Sequence, residues 1–214
     1  MGPVALDAPC VDCGGSLVGR YENDCVQVAC SVCDQLHLVC TIPPSGVAGR
    51  SDREVFTTGE RHLRASYQLI VADICPGCRG RMNRTVVMEP HRPPSSILAV
   101  KTTDSIDFEH GPGVFYECTQ CERWAYLSVG EHLLHTLELL GFFRDRGYDL
   151  DAIPLWELPW TLPSAVDDYT TVTSIDPPTF ELHVPLDGDE LVVTLDETFD
   201  VVDTTTNETE RATA

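Results

Sequence analysis

Positive charge is scarce in this chain of 214 residues, which carries 14 Lys+Arg against 34 Asp+Glu and a formal net charge of −20 at pH 7. Lysine is scarcer still: Lys101 stands alone, and the other 13 basic residues are arginines. So acidic a chain opposes direct binding of nucleic acid, whose phosphates are neutralised by clustered cations. Abundant carboxylate with almost no lysine fits a protein kept soluble in concentrated salt. There charges are screened within about 3 Å at 1 M and self-repulsion costs little. An ordinary acidic cytosolic protein is the plainer alternative. Long apolar runs are missing too, and none approaches the ~20 residues that span a bilayer. The opening MGPVALDAPC has neither the basic flank nor the apolar stretch of a signal peptide. A cytoplasmic protein without membrane contact is expected.

Catalytic signatures are also lacking. The chain has no G-x-G-x-x-G, no G-K-[ST] loop and no H-E-x-x-H. Its seven histidines fall in no spacing that singles out a catalytic set. A non-enzymatic protein is expected. Hydrophobic residues make up 43% of the chain, enough to exclude disorder over most of its length. Charge is uneven: residues 1–100 hold 9 basic and 10 acidic side chains, whereas residues 101–214 hold 5 and 24. The second half is therefore the poorer candidate for phosphate contact.

Cysteine is plentiful. Eight of the ten cysteines form four C-x-x-C pairs: Cys10/Cys13, Cys30/Cys33, Cys75/Cys78 and Cys118/Cys121. Two intervening residues let both sulfurs of a pair aim at one centre, and Zn²⁺ takes four such soft ligands in a tetrahedron at ~2.3 Å. Sixteen residues separate Cys13 from Cys30, within the usual window for a four-cysteine site. Thirty-nine separate Cys78 from Cys118, room for an inserted hairpin. Two structural zinc sites of four cysteines each are expected, with sequential pairing favoured among the three possible because it closes the shorter loops. Four thiolates leave no open position for a reacting water. Disulfides would need an oxidising compartment, and a thioredoxin-like redox pair would need a βαβ setting that no pair has. Cys25 and Cys40 are left over, as buried small hydrophobes or as a redox-sensing thiol beside a zinc site. His37 falls near the first site, which four cysteines already fill.

The expected fold class is α+β: two four-cysteine zinc-ribbon units joined by a helix, a second apolar helix, and a small C-terminal antiparallel β-meander. Residues 1–47 read as the first ribbon, with strands near 17–21, 26–29 and 36–41. Residues 48–72 hold the connecting helix. Ser51-x-x-Glu54 is a capping box that starts it at about 52. Phe56, Leu63 and Ile70, with Tyr67 alongside, make a stripe for the protein's own sheets or for a dimer seam, and Arg53, Arg61 and Arg64 are expected on the solvated side. Residues 73–130 form the second ribbon, with strands at 86–88 and 97–101 in its insert and at 114–117 and 124–128. Arg79, Arg81, Arg84, His91 and Arg92 make one local basic patch; direct nucleic-acid binding by a zinc ribbon is the alternative function it offers, though without the interleaved aromatics of a nucleic-acid surface. Residues 131–146 read as a helix apolar on most sides, buried within the fold or between subunits. In 131–163 the stretch Pro154-Leu155-Trp156-Glu157-Leu158-Pro159-Trp160 is expected to be an extended, indole-anchored link. Residues 164–203 hold the meander, with an Asp187-Gly188 hairpin signal and a last strand at 199–202. Residues 204–214 read as a polar tail.

Several stretches together resemble the cysteine-rich C-terminal region of ArsR-type winged-helix transcriptional regulators of halophilic archaea. They are GPVALDAPCVDCGGSL, IPPSGVAGR, ICPGCRGRM, YECTQCERW, FRDRGYDL, LWELPW, TTVTSIDPP and VPLDGDELVVTLD, and they cover nearly the whole chain. The resemblance implies a sensory, dimerising or partner-binding accessory module of a regulator, self-associating or docked on a regulator subunit and meeting nucleic acid only indirectly. In that family a DNA-reading winged helix precedes this region. Here the first cysteine is residue 10, so a fragment or a stand-alone accessory domain is expected. One local departure is that Asp34, Arg79 and Glu122 follow their C-x-x-C pairs where a knuckle prefers glycine.

Overall fold

The computed structural model describes residues 2–88 and 111–208. Four strands open the chain: β1 Val4–Pro9, β2 Ser16–Glu22, β3 Cys25–Cys30 and β4 Leu36–Thr41. They form one antiparallel sheet in the order β1-β2-β3-β4. The expected ribbon gains β1 as a fourth strand, whose Pro9 is tolerated because the strand lies at an edge.

The connecting helix α1 runs Asp52–Val71. At its start the Ser51 N–H and hydroxyl donate to Glu54 Oε2 at 2.7 and 2.6 Å. Val55, Phe56, Tyr67 and Ile70 are buried in the same core as Val26, Val28 and Leu38 of the first sheet. The face is closely fitted, since a Cβ at Gly19 would stand 2.5 Å from the Phe56 ring. Arg53 and Arg61 are exposed, but Arg64 corrects the expected solvated face: only 5% of it is accessible. It pairs with buried Glu60 one turn earlier and donates to the Ile153 carbonyl. Three and four residues apart on a helix share a face, so Glu60 and Arg64 sit among the apolar residues.

The second ribbon is β5 Met82–Val87, β6 Gly113–Cys118 and β7 Trp124–Ser128, an antiparallel sheet in that order. β5 begins four residues before the strand expected at 86–88. The strand expected at 97–101 lies outside the described residues, as do His91 and Arg92 of the basic patch.

The single helix expected over 131–146 is two. α2 is Val129–Leu133 and α3 is Leu137–Asp145. Ser128 starts α2, accepting from the Glu131 N–H at 3.1 Å while its own N–H donates to Glu131 Oε2 at 2.9 Å. Thr136 is extended and restarts the helix as the N-cap of α3. Leu133, Leu134, Leu139, Phe142 and Phe143 are consumed by the chain's own core, while Leu137 is 82% exposed. The proline-tryptophan stretch is not extended but winds through short 3-10 turns at Leu155–Glu157, Pro159–Thr161 and Pro163–Ala165. The indoles of Trp156 and Trp160 are buried, so they do anchor it.

After the one-turn helix α4 Val166–Tyr169 come β8 Thr170–Ile175, β9 Pro178–Leu186, β10 Asp189–Leu195 and β11 Val201–Asn207. They form a meander in the order β11-β10-β9-β8. Asp187 and Gly188 both have positive φ, 53° and 87°, as a two-residue hairpin between twisted strands requires. The last strand continues to Asn207, past the expected start of the tail. Among the described residues no helix is long and apolar enough to cross a membrane.

His132 is buried against Tyr116, whose hydroxyl is 2.9 Å from His132 Nδ1, and against the edge of Phe199. Burial, helped by the positive charge of Arg84, lowers its pKa from 6.5 to about 4. A depressed pKa gives stability that is present above pH 6.5 and lost as pH falls through 4. His132→Gln is expected to flatten the fall in urea-unfolding free energy over that interval, by about 3 kcal/mol at its full extent. Parallel curves for both proteins would refute this.

Candidate metal centres

Each sulfur cluster is built from two knuckles, and the two ribbons use the same construction. In the first, Cys10 N–H donates to Gly15 O at 2.7 Å and Gly14 N–H to Cys10 O at 2.8 Å, folding the chain back around the pair. In the second ribbon Cys75 N–H donates to Gly80 O and Arg79 N–H to Cys75 O, both at 2.9 Å. The return knuckles match likewise, with Cys30 N–H on Gln35 O at 2.8 Å and Cys118 N–H on Arg123 O at 2.7 Å. The residue after each second cysteine is left-handed: Gly14, Asp34, Arg79 and Glu122 have φ of 71°, 59°, 65° and 56°. The missing glycines therefore leave the turns intact at a local conformational cost. Glu122→Gly is expected to stabilise the protein by about 0.5–1 kcal/mol. A thermal melt that does not rise would contradict it.

The knuckles bring together Cys10, Cys13, Cys30 and Cys33 in one cluster and Cys75, Cys78, Cys118 and Cys121 in the other, which is the sequential pairing. Within each cluster all four sulfurs lie within 4.8 Å of one another. Cys10–Cys33 and Cys13–Cys30 are 3.7 and 3.5 Å apart, and Cys75–Cys121 and Cys78–Cys118 are 3.7 and 3.4 Å. A tetrahedron with 2.3 Å metal–sulfur bonds has edges of about 3.8 Å, whereas a disulfide needs about 2.05 Å. The cysteines are free thiols at the spacing of ligands. Both clusters are compatible with metal sites, and four soft thiolates favour zinc.

Backbone N–H groups aim at the sulfurs. Gly15 donates to Cys13 Sγ at 3.4 Å, Val32 to Cys30 at 3.3 Å, Gly80 to Cys78 at 3.4 Å and Gln120 to Cys118 at 3.4 Å. Amides from Cys33 and Val32 bring the Cys30 thiol down to about 7, and those from Gln120 and Cys121 bring Cys118 to about 6. These are equivalent positions in the two ribbons. Local backbone dipoles thus favour the thiolate at Cys30 and Cys118.

The clusters differ in one neighbour. His37 is buried with Nε2 3.3 Å from Cys10 Sγ, and Cys10, Asp12 and His37 also lie within ligating range of one another. The spacing placed His37 near the site but did not show this contact. The corresponding position of the second ribbon, four residues past Cys121, is Ala125. Cys25 and Cys40 join neither cluster. Both are buried, and burial raises the Cys25 thiol and pushes Cys40 up to about 12, so neither offers a reactive thiolate.

Residues 7–201 match a family described as "Domain of unknown function (DUF7351)". No curated protein and no solved structure matches the chain.

Proposed function

The chain belongs to the DUF7351 family, and we propose that it is a non-enzymatic zinc-binding module serving as the sensory, dimerising or partner-binding part of a transcriptional regulator. The observation that carries the metal half of this reading is the pair of closed four-sulfur cages, each with edges near those of a zinc tetrathiolate. Cys10, Cys13, Cys30 and Cys33 would hold one ion and Cys75, Cys78, Cys118 and Cys121 the other. Bound there, zinc supplies a cross-link between two hairpin turns and no reactive site, because all four positions are taken by protein.

The regulatory half is supported by the motif resemblance and by a surface ill-suited to reading DNA alone. The net charge is −20, and each zinc tetrathiolate would add a formal −2. Two measurements test it. Atomic emission on purified protein should find about two zinc ions per chain; none in a folded chain would end the metal reading. For the regulatory role, the chain would be fused to a monomeric DNA-binding domain and repression of a reporter measured. Zinc-dependent repression is expected, and repression equal to that of the DNA-binding domain alone would refute it.

A further inference from the structure

The last strands of the two ribbons, β4 and β7, line one cavity of about 230 Å³ together with α1 and the 3-10 stretch. Leu63, Ile70 and Leu155 are among its apolar lining. Six lining residues have polar side chains: His37, Tyr67, Trp124, Tyr126, Glu131 and Thr161. Four of these are already paired with protein: Tyr126 donates to the Gly111 carbonyl and Thr161 to the Leu158 carbonyl, each at 2.8 Å. The Tyr67 hydroxyl donates to Glu131 Oε1, and the Ser128 N–H occupies Oε2 at 2.9 Å. Burial raises the Glu131 carboxyl to about 7, and both of its oxygens are already taken by the chain's own donors.

The other two are not paired. His37 commits Nε2 to Cys10 Sγ and leaves Nδ1 buried without a partner, and the buried indole Nε1–H of Trp124 also has none. A buried polar atom left unsatisfied is costly, and each such atom calls for an explanation. Here both belong to side chains lining the same cavity, one a fixed donor, the other a ring nitrogen. A cavity of about 150 Å³ lined by apolar side chains holds benzene, so this one has room for a somewhat larger flat molecule.

We propose that this cavity is a binding site for a small, uncharged aromatic compound carrying a hydroxyl group, whose oxygen accepts from Trp124 Nε1–H and whose body lies against Leu63, Ile70 and Leu155. A hydroxyl suits both orphans, since it accepts from the indole and can donate to His37 Nδ1. An anion would meet the Glu131 carboxyl, and no cationic side chain is among the described lining residues. Through His37 the ligand would contact the shell of the first sulfur cluster. As the effector pocket of a regulator it rests on the reading above, but binding by the chain alone does not.

The test is titration of the zinc-loaded full chain with 2-naphthol and with naphthalene, by calorimetry and by two-dimensional NMR. One 2-naphthol is expected to bind per chain, with a shift of the Trp124 indole N–H resonance and an affinity about fivefold to tenfold above that of naphthalene. Trp124→Phe should keep the zinc content and remove most of that preference. Leu63→Trp, which fills the cavity, should abolish binding of both. Absence of saturable binding, equal affinity for the two compounds, or an unmoved Trp124 resonance in the wild-type chain would overturn the proposal. Those outcomes leave the reporter assay untouched, and a failed reporter assay leaves the titration untouched.

Discussion

Stripping zinc from the purified chain with a strong chelator is expected to unfold both ribbons, with loss of near-ultraviolet dichroism and of the cooperative thermal transition. The magnitudes decide this. A structural zinc contributes roughly 10–16 kcal/mol of apparent folding free energy in small peptides, as much as the whole stability of a typical domain, about 5–15 kcal/mol. Neither ribbon sheet has a core of its own to fall back on. The buried apolar side chains of the second, Met82, Val114, Tyr116, Cys118 and Leu127, are part of one core that also takes in α2 and the C-terminal sheet. Cys30→Ser and Cys118→Ser should each lower the zinc content to about one per chain and the melting temperature by roughly 10 °C or more. Cys25→Ala and Cys40→Ala should leave two zinc ions bound, because neither sulfur is in a cluster. A chelated protein that melts as before would remove the structural role of the metal.

Truncating Arg64 to alanine is expected to cost about 3–5 kcal/mol, because it leaves Glu60 buried and uncompensated. Arg64 and Glu60 are each 5% accessible, and Arg64 also donates to the Ile153 carbonyl and stands 3.6 Å from Asp151. It is therefore the polar strut between α1 and the stretch leading into the tryptophan turns. Replacing both partners, as in Glu60→Met with Arg64→Met, should recover much of the loss, since a buried pair returns little more than its desolvation cost. Recovery should be incomplete, because the Ile153 carbonyl loses its donor. Urea denaturation of the two single variants and the double variant measures the coupling directly. Additive losses would show that the two side chains do not act as a pair.

The sulfur clusters were legible in the sequence because C-x-x-C spacing is a covalent constraint: it fixes where two sulfurs can point before any packing occurs. The start of α1 was legible for a similarly local reason, the Ser51/Glu54 cap. Arg64 was not, since helix periodicity places it on the buried face but a guanidinium argues for solvent, and only the buried Glu60 one turn earlier reconciles the two. The 131–146 stretch failed in the opposite sense. Its leucines satisfy one long helix, and only the extended backbone at Thr136 divides it. β1 was hidden because the small side chains of Ala5 and Ala8 blur its alternation and Pro9 argues against a strand. The shared architecture of the two ribbons could have been read from Cys13-Gly14-Gly15 beside Cys78-Arg79-Gly80. The cavity could not, because His37, Leu63, Trp124 and Leu155 come from four separate elements.

The two cages span unequal lengths of chain. The outer cysteines of the first are 23 residues apart and those of the second 46. Doubling a loop costs only about 0.6 kcal/mol of closure entropy, small beside what a tetrathiolate returns. Related chains are therefore free to lengthen or shorten the connection between β5 and β6 by many residues while keeping the same four sulfurs in place, and tolerance of length change should concentrate there.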